Sequence, residues 1–264
     1  MANSLPTAEL AIYAMLSLPI LYILFRHGLV GLVGWIYLFM FCAIRLVGGA
    51  MSMGDNPPPA ASIIANVGLS PLMLAVSGIL HEAGVYCQPS LDPKVGWLFV
   101  LIFHMVVAGG IGLVASGSSA LQGDHPKPSD LSLVKVGMAI LTVCWVGLCF
   151  SAALSVRMRL RASRAADSVY RAGSILLNAV SASLVFLGVR VIYGLAALCT
   201  ENPSLSPISG TLVARALLSF LPELASTLML IAAGVLTRNV SRTATRATVE
   251  GKEGSGQQLR VLRE

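Results

Sequence analysis

Charge is scarce in this chain. Asp, Glu, Lys and Arg make up 11% of its 264 residues, where a soluble domain carries about 25%. A soluble protein of this length needs more polar surface to cover itself, so a water-soluble globular fold is excluded. Hydrophobic residues reach 56% and mean hydropathy is +0.80, which makes lipid the main solvent. Acidic residues are the scarcer sign, 12 against 18 basic. The positive excess does not imply nucleic acid. The basic residues stand at the ends of apolar segments, where they report membrane orientation and contact with anionic lipid.

Cysteine is limited to Cys42, Cys87, Cys144, Cys149 and Cys199. All lie within or at the ends of apolar segments, so a disulfide framework is not expected. They read as small buried hydrophobes, with palmitoylation the alternative for Cys87 at its helix end. Histidine is scarcer still. His81-Glu82 opens like a zinc-protease motif, but Val85 stands where the second His is required. His104 is alone in its segment, and His27 and His125 fall in loops. No metal site and no cofactor are expected, and no nucleophile-and-base set marks an enzyme.

What is plentiful is the long apolar run. A ~30 Å hydrocarbon core takes roughly 20 such residues per helix. Seven runs meet that length, at about 8–25, 30–52, 60–85, 96–116, 132–155, 173–198 and 209–236. The expected fold is all-α: a polytopic bundle of seven transmembrane helices over 8–236, with 237–264 a polar tail. No basic segment precedes the first run and no small-residue cleavage site follows it, so it reads as a retained span. Arg26-His27-Gly28 reads as a tight turn and Asp55-Asn56-Pro57-Pro58-Pro59 as a helix stop. Pro71 and Pro222 read as kinks within the third and seventh runs. Ala108, Gly112 and Ser116, spaced by four, read as a small-residue ridge for helix packing.

Orientation follows from the Lys/Arg bias. One set of flanks carries Arg26, Lys94, Arg157, Arg159, Arg161, Arg164, Arg171 and the basic residues of the tail from Arg238 onward. The other carries only Lys127 and Lys135. All seven spans fit one alternating assignment, with the N-terminus outside and the C-terminus in the cytosol.

Three arginines and a glutamate fall well inside the runs. Arg45, Arg190 and Arg215 each lie about six to eight residues from the outer end of their helix, ~9–12 Å deep at ~1.5 Å per residue. Asn66 falls near that level and Glu223 near the midplane. A buried arginine costs from about 2.5 to over 10 kcal/mol, so these side chains are expected to face the bundle interior. Glu223 is expected to pair with Arg190 or Arg215. Arg45, Asn66, Arg190, Arg215 and Glu223 form the candidate ligand-binding set, because guanidinium groups grip carboxylate, phosphate or sulfate bidentately. Against this stand arginines that snorkel to headgroups, or a purely structural ion pair. His81 and Glu82 read as interfacial snorkelling residues.

Ala43-Ile44-Arg45-Leu46-Val47-Gly48-Gly49 and Asn66-Val67-Gly68-Leu69-Ser70-Pro71-Leu72 carry a resemblance. With Gly34-Trp35-Ile36 and Leu221-Pro222-Glu223, they resemble a fungal multi-helix membrane family, the domain of unknown function DUF7702, over roughly 8–240. The resemblance implies a fungal seven-helix integral membrane protein and no catalytic residues. A more distant likeness is to the fungal lipid-translocating exporters, at the level of fold alone.

Two functions fit this reading. One is a receptor or sensor with an outward-facing polar cavity for a small anionic or amphipathic ligand. The other is a transporter or lipid translocator that uses the intramembrane Arg/Glu cluster. The third helix ends His81-Glu82-Ala83-Gly84-Val85-Tyr86 rather than Asp-Arg-Tyr, and the seventh lacks Asn-Pro-x-x-Tyr, which disfavours a conventional G-protein-coupled receptor. Membrane lipids are the partner that composition implies, in a multi-pass membrane location. The orientation has a direct check in Asn239-Val240-Ser241, a glycosylation sequon. Placed in the cytosol, Asn239 stays unmodified when the protein is expressed in a glycosylating host; a glycan there reverses the assignment.

Overall fold

The computed structural model describes residues 4–53, 64, 68–87, 93–123, 127–161, 168–200 and 210–240. Every element among them is helical: α1 (Ser4–Met51), α2 (Leu69–Cys87), α3 (Pro93–Leu121), α4 (Pro128–Arg161), α5 (Ser168–Thr200), the short α6 (Leu212–Arg215) and α7 (Leu221–Leu236). A π turn, Ala216–Phe220, joins the last two. Six helical segments are long and apolar enough to cross a membrane.

The first of these is not one rod. Gly28 has φ 67° and ψ −160°, a backbone state that a Cβ disfavours. The two limbs fold back on each other there. Tyr13 meets Phe41 edge-on at 5.4 Å, and Gly49 packs against Pro6 and Leu10. These contacts pair residues on either side of Gly28 in antiparallel order. The expected turn at 26–28 is thus reduced to a single residue.

Hydropathy ranks the helices in the wrong order for burial. Helix α2 has the lowest hydropathy of the six segments, 1.2, yet only His81, Gly84 and Val85 of its nineteen residues escape full burial. It is the central helix, packed against α1, α3 and α5. Lipid never touches most of it, so Ser70, Ser77 and Glu82 carry no lipid penalty there. Helix α3 is the reverse case: Leu98, Leu101, Ile102, Met105 and Val106 are exposed, a lipid-facing side at helical spacing.

Several expectations are corrected. Helix α2 runs from Leu69 after a turn at Gly68, so Pro71 stands in its first turn, where its missing N–H costs nothing, and makes no mid-helix kink; the expected start near 60 lies outside the described residues. Helices α3, α4 and α5 extend past the expected 96–116, 132–155 and 173–198, because a helix need not stop where lipid does. Arg157, Arg159 and Arg161 therefore lie on α4 and Arg171 on α5, rather than in a loop. Arg159 donates to the Asn178 side chain at 2.7 Å and to the Ser174 carbonyl at 3.3 Å, a clasp between the two helices. Arg164, the polar loop around His125 and the tail beyond 240 lie outside the described residues. Cys87 is buried at 5% exposure, which removes it as an accessible acylation site in this state.

The small-residue ridge is shifted in register. Ala108, Gly112 and Ser116 face outward. The seam between α3 and α4 instead uses Gly110, Val114 and Gly117 against Gly137 and Val134. Spacing by four cannot choose between adjacent faces, and the seam is set by Gly137, whose added Cβ would lie 2.6 Å from the Gly110 carbonyl oxygen. Nothing lies within 4 Å of a Cβ at Gly112. Gly137→Leu is therefore expected to cost about 1–3 kcal/mol by overpacking and to lower the thermal unfolding midpoint in detergent. Gly112→Leu leaves that midpoint in place.

Candidate functional site

The site is built on Glu223. Its helix carries Pro222, which has no N–H and crowds the carbonyl one turn back. The chain answers by widening: the Leu221 N–H reaches the Ala216 carbonyl, five residues back. A π turn of this kind offsets the side chains that follow it. It stands where a simple kink was expected.

Glu223 is 1% exposed and takes two guanidinium partners. Arg190 Nε donates to Oε1 at 2.9 Å, and Arg45 Nη2 donates to Oε2. Arg45 comes from the second limb of α1 and Arg190 from α5, so one carboxylate ties three helices. Each guanidinium also leans on an aromatic ring about one turn away along its own helix. Arg45 lies 5.6 Å from the Phe41 centroid and Arg190 5.9 Å from that of Tyr193. Of the two alternatives expected for Glu223, Arg190 or Arg215, Arg190 is the partner found, and Arg45 joins it as a second that was not foreseen.

Arg215 is half-buried and lines a cleft with Arg45, Arg190, Glu9, Ser52 and Ser219. Its volume is about 40 Å³, room for a few water molecules at ~10–15 Å³ each by that measure. The three arginines predicted to share a depth thus do converge on one space. Asn66, the remaining member of the predicted set, lies outside the described residues. Glu9 was not anticipated: it stands at the start of the first apolar run, where a charge close to water needs no partner. Among the described residues of the cleft, the three arginines outnumber Glu9 and Glu223 by one. Arg45 Nε and the Tyr13 hydroxyl are buried without a hydrogen-bond partner among the described residues.

A second polar network lies at the other end of α7. Glu82 is fully buried, not snorkelling at an interface. His27 Nδ1 meets its Oε1 at 2.6 Å, Trp35 donates to Oε2 at 2.9 Å, and the Tyr86 hydroxyl donates to Oε1 at 3.3 Å. His27 Nε2 faces the Gly234 carbonyl at 3.0 Å. Gly31 leaves the space that Glu82 fills, since a Cβ there would lie 2.6 Å from the carboxylate. His81 points elsewhere and packs against the Trp97 ring at 5.2 Å. His104 Nδ1 donates to the Val100 carbonyl one turn back at 2.7 Å. Among the described residues no group of three His, Cys, Asp or Glu is placed to hold a metal.

The family model for a domain of unknown function, DUF7702, matches residues 1–240. The chain belongs to the DUF7702 family. Both networks fall wholly within the matched span. No curated protein and no solved structure matches the chain.

Removing one partner of a buried ion pair costs ~3–5 kcal/mol, because the other charge is stranded. Glu223→Gln strands two guanidinium groups and is expected to cut the folded yield severely, read by size-exclusion chromatography of the solubilised protein. Adding Arg190→Gln to it restores part of that yield. Full yield from Glu223→Gln alone contradicts the described pairing.

Proposed function

We propose that this protein is a seven-crossing membrane protein that binds a small oxyanion in the Arg45–Arg190–Arg215 cleft, as a receptor or sensor does. In this reading each limb of α1 crosses the membrane once, which adds a crossing to the six long segments. The N-terminus and the cleft lie outside, the polar tail lies in the cytosol, and 8–236 is the membrane domain. The Lys/Arg bias supports this orientation. Antiparallel contact between the limbs supports the count.

One observation carries the binding reading: two arginines share a single carboxylate and still present guanidinium edges to a cleft that a third arginine lines. A charge imbalance this deep is costly unless compensated. A carboxylate, phosphate or sulfate would neutralise it and take up the free donor geometry. The cleft's size favours the anionic head of a ligand rather than a bulky body. The π turn beside Glu223 offers a way for an occupied cleft to move α7.

The competing reading is a transporter or lipid translocator. It is favoured by the second buried network at the opposite end of the same helix, about eleven residues or ~16 Å from Glu223.

Binding is tested by thermal shift in nanodiscs with acetate, phosphate and sulfate, each against chloride at matched ionic strength. A bound anion raises the midpoint by linkage. Arg215 makes no ion pair among the described residues and is only half-buried, so Arg215→Gln is expected to cost less than ~1 kcal/mol yet abolish the shift. No anion-specific shift in the native protein removes the binding reading. Flux of the stabilising anion into proteoliposomes then separates carrier from sensor.

A further inference from the structure

The His27–Glu82 network has no role in the anion cleft, yet it is the most completely buried polar cluster described. His27 and Glu82 are both at 0% exposure. The proton inventory is constrained by geometry. Nε2 faces a carbonyl oxygen, which only accepts, so Nε2 carries hydrogen. Nδ1 faces a carboxylate oxygen at 2.6 Å, and that contact also requires a hydrogen between the two atoms. With it in place, every partner is satisfied: Trp35 and Tyr86 donate to Glu82, and His27 donates on both sides. With one hydrogen fewer, the neutral ring keeps the one between Nδ1 and the carboxylate, and an Nε2 lone pair confronts the Gly234 carbonyl oxygen at 3.0 Å. Both contacts survive together only while the extra proton is bound.

The position of this contact is as telling. His27 adjoins the Gly28 fold-back, Glu82 and Tyr86 stand on the central helix, and Gly234 is in the last turn of α7. The Thr237 hydroxyl, just beyond that turn, donates to the Ala233 carbonyl at 2.8 Å and lies 3.4 Å from His27 Nε2. Arg26 adds a hydrogen bond to Asn239 at the same end. These contacts join three parts of the bundle at the end opposite the arginine cleft.

We propose that the site formed by His27 and Glu82 binds a proton, and that this proton holds the bundle shut at the end opposite the arginine cleft. When the proton leaves, His27 Nε2 gives it up, the neutral ring keeps its hydrogen on Nδ1 toward Glu82, and Glu82 stays a carboxylate. The Nε2 lone pair then repels the Gly234 carbonyl oxygen, and the last turn of α7 is free to part from the Gly28 corner. The charged or titratable neighbours are Arg26, on the exposed side and engaged with Asn239; His81, adjoining Glu82 but packed on Trp97; Tyr86, which donates to Glu82; and Arg238, which is exposed. None of these offers Nδ1 an alternative acidic partner. The inference stands whether or not the cleft takes an anion, because it concerns the other end.

The test uses the full chain in nanodiscs, with spin labels at the exposed positions Phe25 and Leu236, on the corner side and the α7 side of the gate. Pulsed distance measurement is made from mildly acidic to mildly alkaline pH. The native pair is expected to show one short distance at low pH and to gain a longer population as pH rises. His27→Gln, which has no proton to lose in this range, is expected to show the same distribution at every pH. Trp35→Phe removes a donor from Glu82 while leaving the His27–Glu82 pair intact. The bare carboxylate then favours the protonated ring more strongly, and the midpoint of the transition moves to higher pH. A distance in the native background that does not change with pH overturns the proposal. So does a transition that survives in His27→Gln, or one whose midpoint Trp35→Phe leaves in place. Since the native and Trp35→Phe arms decide alone, a His27→Gln chain that fails to fold does not rescue it.

Discussion

A carboxylate between two guanidinium groups, with lipid rather than water around the bundle, sets the terms for the rest of the molecule. None of the three charges can be left alone. Arg45, Arg190 and Glu223 must therefore arrive together from helices far apart in the chain, and the helices must pack so that they do. The Phe41 and Tyr193 rings, one turn away from the arginines, limit where each guanidinium can point. The π turn at Ala216–Phe220 fits the same requirement, since it sets the angular position of Glu223 on a helix that Pro222 would otherwise distort.

This geometry makes α2 the natural centre. A helix surrounded by other helices is spared from lipid and can carry polar side chains at no lipid cost. Glu82 uses that freedom at one end. The outer helices α3 and α4 do the opposite, exposing broad apolar faces and meeting through glycines. Polarity thus increases inward, the inverse of a soluble protein, because the solvent is inverted as well.

The sequence disclosed the helical membrane bundle, the fold-back near Gly28 and the convergence of three arginines with Glu223. It did so because a charge inside an apolar run is costly and so must have a partner. Which partner was less legible. Arg45 and Arg215 sit at similar depth, and depth carries no information about azimuth around the helix axis. The same blindness placed the α3 seam on Ala108 and Gly112 when Gly110 and Gly117 form it. Glu82 was misread for a related reason: closeness to a helix end suggests water, but burial there depends on His27, Trp35 and Tyr86 arriving from elsewhere. The hint available was Gly31, one turn after His27, small enough to admit a foreign side chain. Pro71 was misread because hydropathy alone does not locate where a helix begins.

Helix α7 has a further consequence for how the molecule comes into being. It is the last of the long apolar segments among the described residues, and it supplies Glu223 to one network and the Gly234 carbonyl to the other. Until it has been synthesised, Arg45 and Arg190 lack their shared counter-charge and His27 lacks its carbonyl acceptor. The earlier helices must therefore wait in the membrane with their polar groups provisionally solvated, by headgroups or by the insertion machinery. Completion of the bundle is tied to completion of translation. A ribosome that stops short of residue 223 leaves behind a product that carries its own mark of incompleteness, unpaired charge inside the bilayer, for cellular surveillance to find.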